Sequence, residues 1–314
     1  MVKALYVSVI MSVYKEPKEW LCQSIDSILN QTLSDFEFII ICDNPAGHDN
    51  LALLRDYERK NERIKLIVNE ENIGLTKSLN KGLAVAKGRY IARMDADDIS
   101  TPTRFESQYQ YMEANPQVNV LGTAIKYFGR GAWKKGTDGI RYTDEDIRAQ
   151  MLLDNCIAHP TVFIRKSVLD EHGLTYDENY RQSQDIRLWE QLMPYGEFAN
   201  LKEKLLKYRL SDQQITKSRA SSQSNLAEGV KLRLQLTWLQ SLGYNYTIGD
   251  IKDKAFVIID KIREDNRNFK NKNISAFVQN AYLNYPCEHK IKRLFGRGDY
   301  KHFTLMNLVR VLIK

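Results

Sequence analysis

Residues 90–98 read Tyr90-Ile91-Ala92-Arg93-Met94-Asp95-Ala96-Asp97-Asp98, and the rest of this 314-residue chain is arranged around them. The stretch is a short apolar strand that ends in three carboxylates. If the strand alternates, Asp95 and Asp97 point to the same side, where their charges repel unless a cation or hydrogen-bond donors compensate them. A hard divalent cation with oxygen ligands, completed by substrate phosphates, is a natural partner. The alternative is a solvated acidic turn before a helix that begins near Pro102.

Apolar runs alternate with amphipathic stretches from the N-terminus to about residue 128. Helices are predicted between the runs, one opened by Pro17 and one over residues 75–86. The alternation predicts an α/β fold in which a mostly parallel central sheet carries helices on both faces. The predicted strands cover residues 4–13, 36–42, 64–68, 90–94 and 118–128.

Polar residues follow each of the first four predicted strands. Ser12 and Glu16 follow the first, Asp43 the second, Asn72 the third, and the acidic turn the fourth. Ligands of such sheets bind beyond the carboxyl ends of the strands. This convergence favours a ligand site over a solvated turn.

The middle of the chain contains two further candidates. His159 lies in a turn that leads into a buried strand, where a lone histidine is commonly structural. Asp185 lies at the start of an amphipathic helix over residues 186–193. A carboxylate is favoured there by the free amides and the helix dipole, so a plain N-cap is the alternative to a chemical role.

Composition limits the partners and the compartment. The net charge of +7 favours an anionic partner such as a nucleotide, a phosphate or an anionic lipid. No basic surface interleaved with aromatic residues lies on a recognisable nucleic-acid-binding module, so nucleic acid is not an expected partner. The four cysteines have no metal-binding spacing and are predicted to be free thiols in the cytoplasm.

The C-terminal part, residues 218–314, is predicted to be helical. The Ser-rich residues 218–224 are interpreted as a linker after a first domain of residues 1–217. From residue 287 onward, seven Lys or Arg face two acidic residues, a net charge of +5. Interleaved apolar residues give this tail the composition of a helix on an anionic membrane surface. A solvated helix packed on the first domain is the equal alternative.

Several separated blocks resemble the family 2 glycosyltransferases over about residues 5–216. The resemblance implies a GT-A fold, a donor half (residues 1–128) and an acceptor half (residues 129–217). It also implies a nucleotide-diphospho-sugar donor, a divalent metal, Mn²⁺ or Mg²⁺, and inversion at the anomeric carbon. The blocks are VSVIMSVY (7–14), SIDSILNQT (24–32), NIGLTKSLN (72–80), AKGRYIARMDADD (86–98), HPT (159–161) and QDIRLW (184–189).

The resemblance also implies roles for single residues. Asp97 corresponds to the carboxylate that holds the metal, and Asp95 lies towards the ribose or a metal-bound water. Asp185 corresponds to the general base that takes the proton of the acceptor hydroxyl, and Asp98 is expected to support the turn. The remaining donor-side candidates are Ser12, Glu16, Asp43, Asn72, Lys77 and Arg93, and the acceptor-side candidate is His159.

Two blocks depart from the family pattern. Asp43-Asn44-Pro45-Ala46 stands where Asp-Asp-Gly-Ser is common, which puts the inferred nucleobase contacts in doubt. Ser211 follows the Tyr208-Arg209 pair where many relatives carry a metal-side histidine.

The expected function is transfer of a sugar, from UDP-hexose or UDP-N-acetylhexosamine, to a glycan or lipid-linked acceptor in bacterial surface-polysaccharide synthesis. The tail would then touch the inner face of the cytoplasmic membrane. A non-catalytic carbohydrate- or nucleotide-binding protein of the same fold is the alternative. A phosphatase of the haloacid dehalogenase type is disfavoured because its acidic motif follows the first strand. A sugar nucleotidyltransferase is disfavoured because residues 11–20 contain no glycine.

Overall fold

An eight-stranded sheet with the order β3-β2-β1-β4-β7-β6-β8-β5 carries the fold. The computed structural model describes residues 6–132, 140–152, 154–211, 220–241 and 245–251. The strands are Val7–Val13 (β1), Phe36–Cys42 (β2), Ile64–Val68 (β3), Tyr90–Asp95 (β4), Ile99–Ser100 (β5), Val118–Gly129 (β6), Phe163–Arg165 (β7) and Glu197–Leu210 (β8). The helices are Lys18–Leu29 (α1), His48–Lys60 (α2), Leu75–Val85 (α3), Arg104–Ala114 (α4), Asp144–Met151 (α5), Lys166–Glu171 (α6), Gln184–Leu192 (α7) and Ala220–Ser241 (α8).

The first four strands are parallel to one another, and their carboxyl ends lie at one edge. Ser12 of β1 pairs with Ile41 of β2 and with Asp95 of β4 at the same level. The polar residues that follow these strands therefore emerge side by side, as the sequence predicts. The strands are buried on both faces, which explains their nearly unbroken apolar sequences.

The second half of the sheet is mixed. Strand β7 lies antiparallel between β4 and β6, β8 runs parallel to β6, and β5 pairs antiparallel with β8. The predicted α/β class is confirmed, and the parallel arrangement is strongest among β1 to β4.

Helices pack on the sheet through the faces that the sequence predicts. Helix α1 follows Pro17 and buries Leu21, Ile25 and Ile28. In the core, the ring of Tyr90 stacks on that of Phe163 at 4.9 Å. Each apolar side chain buried in this way stabilises the fold by about 1.5–3 kcal/mol.

The described residues divide into two compact units. One takes its residues from Met1–Asp144 and Ile157–Ala227, the other from Glu145–Cys156 and Glu228–Lys314. In the second unit, apolar side chains of α5 and α8 pack together. They are Ala149, Leu152, Leu234 and Trp238.

Three expectations about the C-terminal part have different outcomes. The boundary at residue 217 falls among residues 212–219, and the basic tail falls among residues 252–314; both lie outside the described residues. The predicted linker is wrong from residue 220 onward, because α8 begins at Ala220. Serine costs a helix only tenths of a kcal/mol relative to alanine, and the buried Val230 and Leu239 farther along α8 outweigh that cost.

The cysteines and the membrane question complete the description. Cys22, Cys42 and Cys156 are free thiols, as predicted, and Cys287 lies outside the described residues. Within the described ranges, no helix combines the length and the apolar character that crossing a bilayer requires.

Candidate active site

The acidic turn after β4 gathers three carboxylates. Oxygen atoms of Asp95, Asp97 and Asp98 lie within 4.8 Å of one another. The reason differs from the predicted strand alternation, because β4 ends at Asp95 and a turn brings the other two side chains round. The hydroxyl of Ser24 on α1 donates to the main-chain oxygen of Asp95 at 2.8 Å and anchors the start of the turn.

The negative charge of this turn is incompletely compensated within the chain. Burial, and then the charges of Asp95 and Glu16, raise the pKa of Asp97 to about 7. Burial and the same neighbours raise the pKa of Asp98 well above its usual range, and its Oδ2 has no hydrogen-bond partner among the described residues. Clustered hard oxygen ligands with excess negative charge fit a divalent cation such as Mn²⁺ or Mg²⁺.

Two arginines hold the turn from opposite sides. Arg93 of β4 is buried and forms an ion pair with the Asp95 carboxylate, so its guanidinium reaches Asp95 from inside the fold. Arg209 of β8 donates its main-chain N–H to Asp98 Oδ1 at 2.8 Å and its Nε–H to the main-chain oxygen of Asp97 at 2.6 Å. Asp98 thus joins the turn to β8, in line with the supporting role expected for it.

Glu16 lies close enough to the turn to act on it electrostatically. Its Oε2 accepts a hydrogen bond from the main-chain N–H of Tyr14 at 2.7 Å. Burial raises the pKa of Glu16, and Asp95 adds to this increase. Ser12, partly buried, occupies the β1 position between Ile41 and Asp95.

Asp43 organises the loop between β3 and α3. Its carboxylate accepts hydrogen bonds from the side chains of Asn69 and Asn72 and from the main-chain N–H groups of Ile73 and Gly74, all at 2.8–2.9 Å. A carboxylate accepts about four such bonds, so this one is satisfied within the protein. Gly74 has φ of +87°, a conformation that favours glycine.

Lys77 lies one turn into α3 and is half exposed. Its Nζ is 4.0 Å from a carboxylate oxygen of Glu178. The contact shown for its charge is therefore with the segment before α7.

Asp185 lies in the first turn of α7 but is not its N-cap. Ser183, with φ of 59°, occupies the N-cap position, so the plain N-cap interpretation is wrong. The Asp185 carboxylate still accepts hydrogen bonds from nearby main-chain amides, but burial dominates and raises its pKa. Arg93 and Asp95 both act on this pKa, so Asp185 and the acidic turn are within electrostatic reach of each other.

His159 is buried beside Asp185's neighbours. Its Nε2 lies 2.8 Å from the hydroxyl of Tyr176, and its ring contacts Trp189 edge to face at 6.0 Å. Burial, and then the charge of Arg93, hold the pKa of His159 well below its usual range, so the ring is neutral. The charges of Asp185 and Asp95 also raise the pKa of Tyr176.

Three residues in this network carry no motif by which they could have been selected. Tyr176 bonds His159, and Asn80 of α3 exchanges two hydrogen bonds with the Tyr176 main chain at 2.8 and 3.0 Å. Arg209 was noticed only as the partner of Tyr208 in the sequence.

Comparison with solved structures supports the fold. The chain resembles S. aureus TarS 1-349 in complex with UDP, with a TM-score of 0.59, 14% identity and coverage of 92% of this chain and 78% of that one. It also resembles the mannosyltransferase PcManGT of Pyrobaculum calidifontis in complex with GDP-Man and Mn²⁺. There the TM-score is 0.56, the identity 12% and the coverage 99% and 86%. The expected GT-A fold is confirmed.

Sequence comparison establishes the family. The O-antigen biosynthesis glycosyltransferase WbnJ of Escherichia coli is 36% identical over 218 residues, which cover 68% of this chain and 82% of the relative. The family model described as Glycosyl transferase family 2 matches residues 8–173, more than half of the chain. The protein, as its sequence blocks indicate, belongs to glycosyl transferase family 2.

Proposed function

We propose that the protein is an inverting glycosyltransferase that moves a sugar from a nucleotide-diphospho-sugar to an acceptor hydroxyl. The observation that carries this proposal is the joint placement of the acidic turn and the buried Asp185 within electrostatic reach of each other. The turn suits a leaving diphosphate with its cation, and Asp185 suits an incoming hydroxyl. One buried pocket thus offers both functions that a displacement at the anomeric carbon requires.

The donor side is assigned to the ends of β1 to β4. Asp97 and Asp95 would hold Mn²⁺ or Mg²⁺, with Asp98 supporting them from β8. When bound, the cation neutralises charge on the departing nucleoside diphosphate. Ser12 and Glu16 border the nucleoside, as does the loop from Asn69 to Gly74, which Asp43 and Asn72 hold in shape. Arg93 acts by orienting Asp95, and Lys77 adds positive charge at the start of α3.

The acceptor side is assigned to Asp185 and His159. Asp185 accepts the proton of the acceptor hydroxyl as its oxygen attacks the anomeric carbon opposite the diphosphate, which inverts the configuration. A raised pKa makes a carboxylate a better general base, provided that it stays ionised at working pH. Neutral His159 and Tyr176 line the wall beside it.

The substrate class rests on relatives and on the tail. WbnJ is named for O-antigen biosynthesis, and the structural neighbours bind UDP and GDP-Man. We therefore assign the donor to nucleotide sugars, with UDP-hexose or UDP-N-acetylhexosamine first. The acceptor is assigned to a glycan or lipid-linked oligosaccharide of surface-polysaccharide synthesis. The basic tail suggests that this acceptor is met at the cytoplasmic face of a membrane.

The test is a panel of UDP- and GDP-sugars, with and without a lipid-diphosphate acceptor. Sugar release is measured with Mn²⁺, with Mg²⁺ and with EDTA. We expect metal-dependent release that Asp97→Asn lowers at least about 100-fold. Asp56→Asn, which alters an exposed carboxylate paired with Arg59 and Lys60 on α2, is the control and should match the wild type. Nucleotide-sugar binding without any turnover would instead support a non-catalytic binding protein.

A further inference from the structure

Arg209 contacts the acidic turn at two consecutive residues. Its main-chain N–H binds the Asp98 carboxylate at 2.8 Å, and its Nε–H binds the main-chain oxygen of Asp97 at 2.6 Å. The second bond goes to a peptide oxygen, so it restrains the turn without occupying the Asp97 carboxylate. A third bond, from Nη2 to Gln23 Oε1 at 2.6 Å, ties the same guanidinium to α1.

The guanidinium itself is fixed between two aromatic rings. Its central carbon lies 4.8 Å from the ring centre of Trp20 and 4.4 Å from that of Phe128. Arg209 is only 8% exposed. Stacking on both faces and hydrogen bonding at the edge leave a planar arginine little freedom, and a lysine offers neither the plane nor the fork.

Arg209 also places positive charge where the turn needs it. The charges of Asp97 and Asp98 favour the ionised form of Arg209, which by the same interaction favours ionised carboxylates in the turn. The residue thus combines a rigid mount with partial charge compensation, and it does so from β8, far along the chain from β4.

We propose that Arg209 is the positioning residue of the cation site, holding the Asp97–Asp98 peptide so that the carboxylates of the turn converge. The inference rests on the proposed function, because that function supplies the cation. Outer residues that orient metal ligands typically change metal affinity by 10- to 100-fold when they are replaced.

The experiment measures Mn²⁺ binding to the full chain by calorimetry, without donor or acceptor. Arg209→Gln and Arg209→Lys should each bind Mn²⁺ at least about 10-fold more weakly than the wild type. The matched control is Arg63→Gln, because Arg63 stacks on Phe36 at 4.6 Å and donates to the main-chain oxygen of Leu29. It loses the same kinds of contact, so it should lose comparable stability and keep wild-type Mn²⁺ affinity.

The outcomes separate the levels of the argument. Tight Mn²⁺ binding by folded Arg209→Gln would overturn the inference alone, and full affinity in Arg209→Lys would show that charge suffices and overturn the positioning role. Absence of Mn²⁺ binding in the wild type would overturn the proposed cation site and the inference with it. If the Arg209 variants do not fold, Gln23→Leu decides: an affinity about 3-fold weaker supports the inference, and an unchanged one overturns it.

Discussion

Asp185 is suited to a chemical role by the structure around it. Because Ser183 occupies the N-cap position, α7 does not depend on Asp185 for its start. Replacing Asp185 with Asn should therefore leave the free energy of unfolding within about 1 kcal/mol of the wild type. The rate of sugar release should fall at least about 100-fold, because an amide cannot take the acceptor proton.

Asp177→Asn is the control for this change. Asp177 lies in the segment before α7 and pairs with Arg187 of that helix, so its loss perturbs the same region without removing a base. Steady-state rates and urea unfolding of both variants separate the two roles. Equal rate losses in the two variants would contradict a base at Asp185.

Asp43 makes a different prediction from the one its family position suggests. Its carboxylate is occupied by four donors of the Asn69–Gly74 loop. In Asp43→Asn, a side-chain NH₂ would face main-chain N–H groups, and the loop would lose its order. Binding of UDP and GDP should weaken by a similar factor, about 10-fold or more, because the loss of loop order does not depend on the base. A change in preference between the two nucleotides, measured by calorimetry, would instead indicate a direct nucleobase contact.

The candidate residues differ in how visible they are in a sequence. Asp95, Asp97 and Asp185 could be selected because charge after an apolar run is costly without a partner. The satisfaction of Asp43 could not be foreseen, since its donors lie 26 to 31 residues away and depend on loop geometry. Tyr176 could not be selected because a lone tyrosine in a polar segment has no distinguishing pattern.

Helix α3 connects the donor loop to the segment before Asp185. Asn80 pairs in both directions with the Tyr176 main chain, and the hydroxyl of Thr76, one turn earlier, donates to Tyr180 at 2.9 Å. Asn80→Ala should lower the free energy of unfolding by about 2 kcal/mol through two lost hydrogen bonds. Amide hydrogen exchange should accelerate over residues 174–182, and turnover should fall while Mn²⁺ affinity stays at the wild-type value.

Asn115→Ala is the matched control for the clamp. Asn115 donates its amide to the main-chain oxygen of Tyr111 at 2.9 Å, at the end of α4. It should leave exchange over residues 174–182 unchanged. Unaltered exchange there in Asn80→Ala would mean that other contacts hold the segment.

Elements were predictable where burial imposes a simple pattern. Strands β1 to β4 and β6 follow predicted apolar runs closely because both faces of each are largely buried. Strand β8 gives no such run, since residues 202–204 in its centre are exposed and charged and its register with β6 is irregular. Strand β5 has two residues, which is too short for any periodicity.

At the scale of the whole molecule, charge is distributed unevenly. The chain carries +7, and residues 287–314 contribute +5. Attraction to an anionic surface amounts to about 1 kcal/mol per basic residue close to it. Deleting residues 287–314 should therefore reduce sedimentation with phosphatidylserine vesicles at least about 10-fold. Neutral vesicles and high salt are the controls, and unchanged binding after deletion would contradict a membrane role for the tail.

Stability of the whole fold should carry the signature of a buried neutral histidine. An unfolded chain protonates His159 near pH 6.5, whereas burial and Arg93 hold its folded pKa well below that value. As the pH falls below about 6.5, the unfolded state binds a proton that the folded state refuses. The free energy of unfolding then falls by up to about 1.4 kcal/mol per pH unit.

The variant His159→Gln should lack this contribution, so its free energy of unfolding should fall less between pH 6.5 and 5.5 than that of the wild type. Asp97, Asp98 and Asp185 act with the opposite sign, because their raised pKa values let the folded state bind protons more readily as the pH falls. They are present in both proteins, so the difference between the two urea-unfolding series, measured in EDTA, isolates His159. His172→Gln, at an exposed histidine stacked on Tyr195, should keep the wild-type slope. Parallel slopes for wild type and His159→Gln would contradict a neutral His159 in the folded protein.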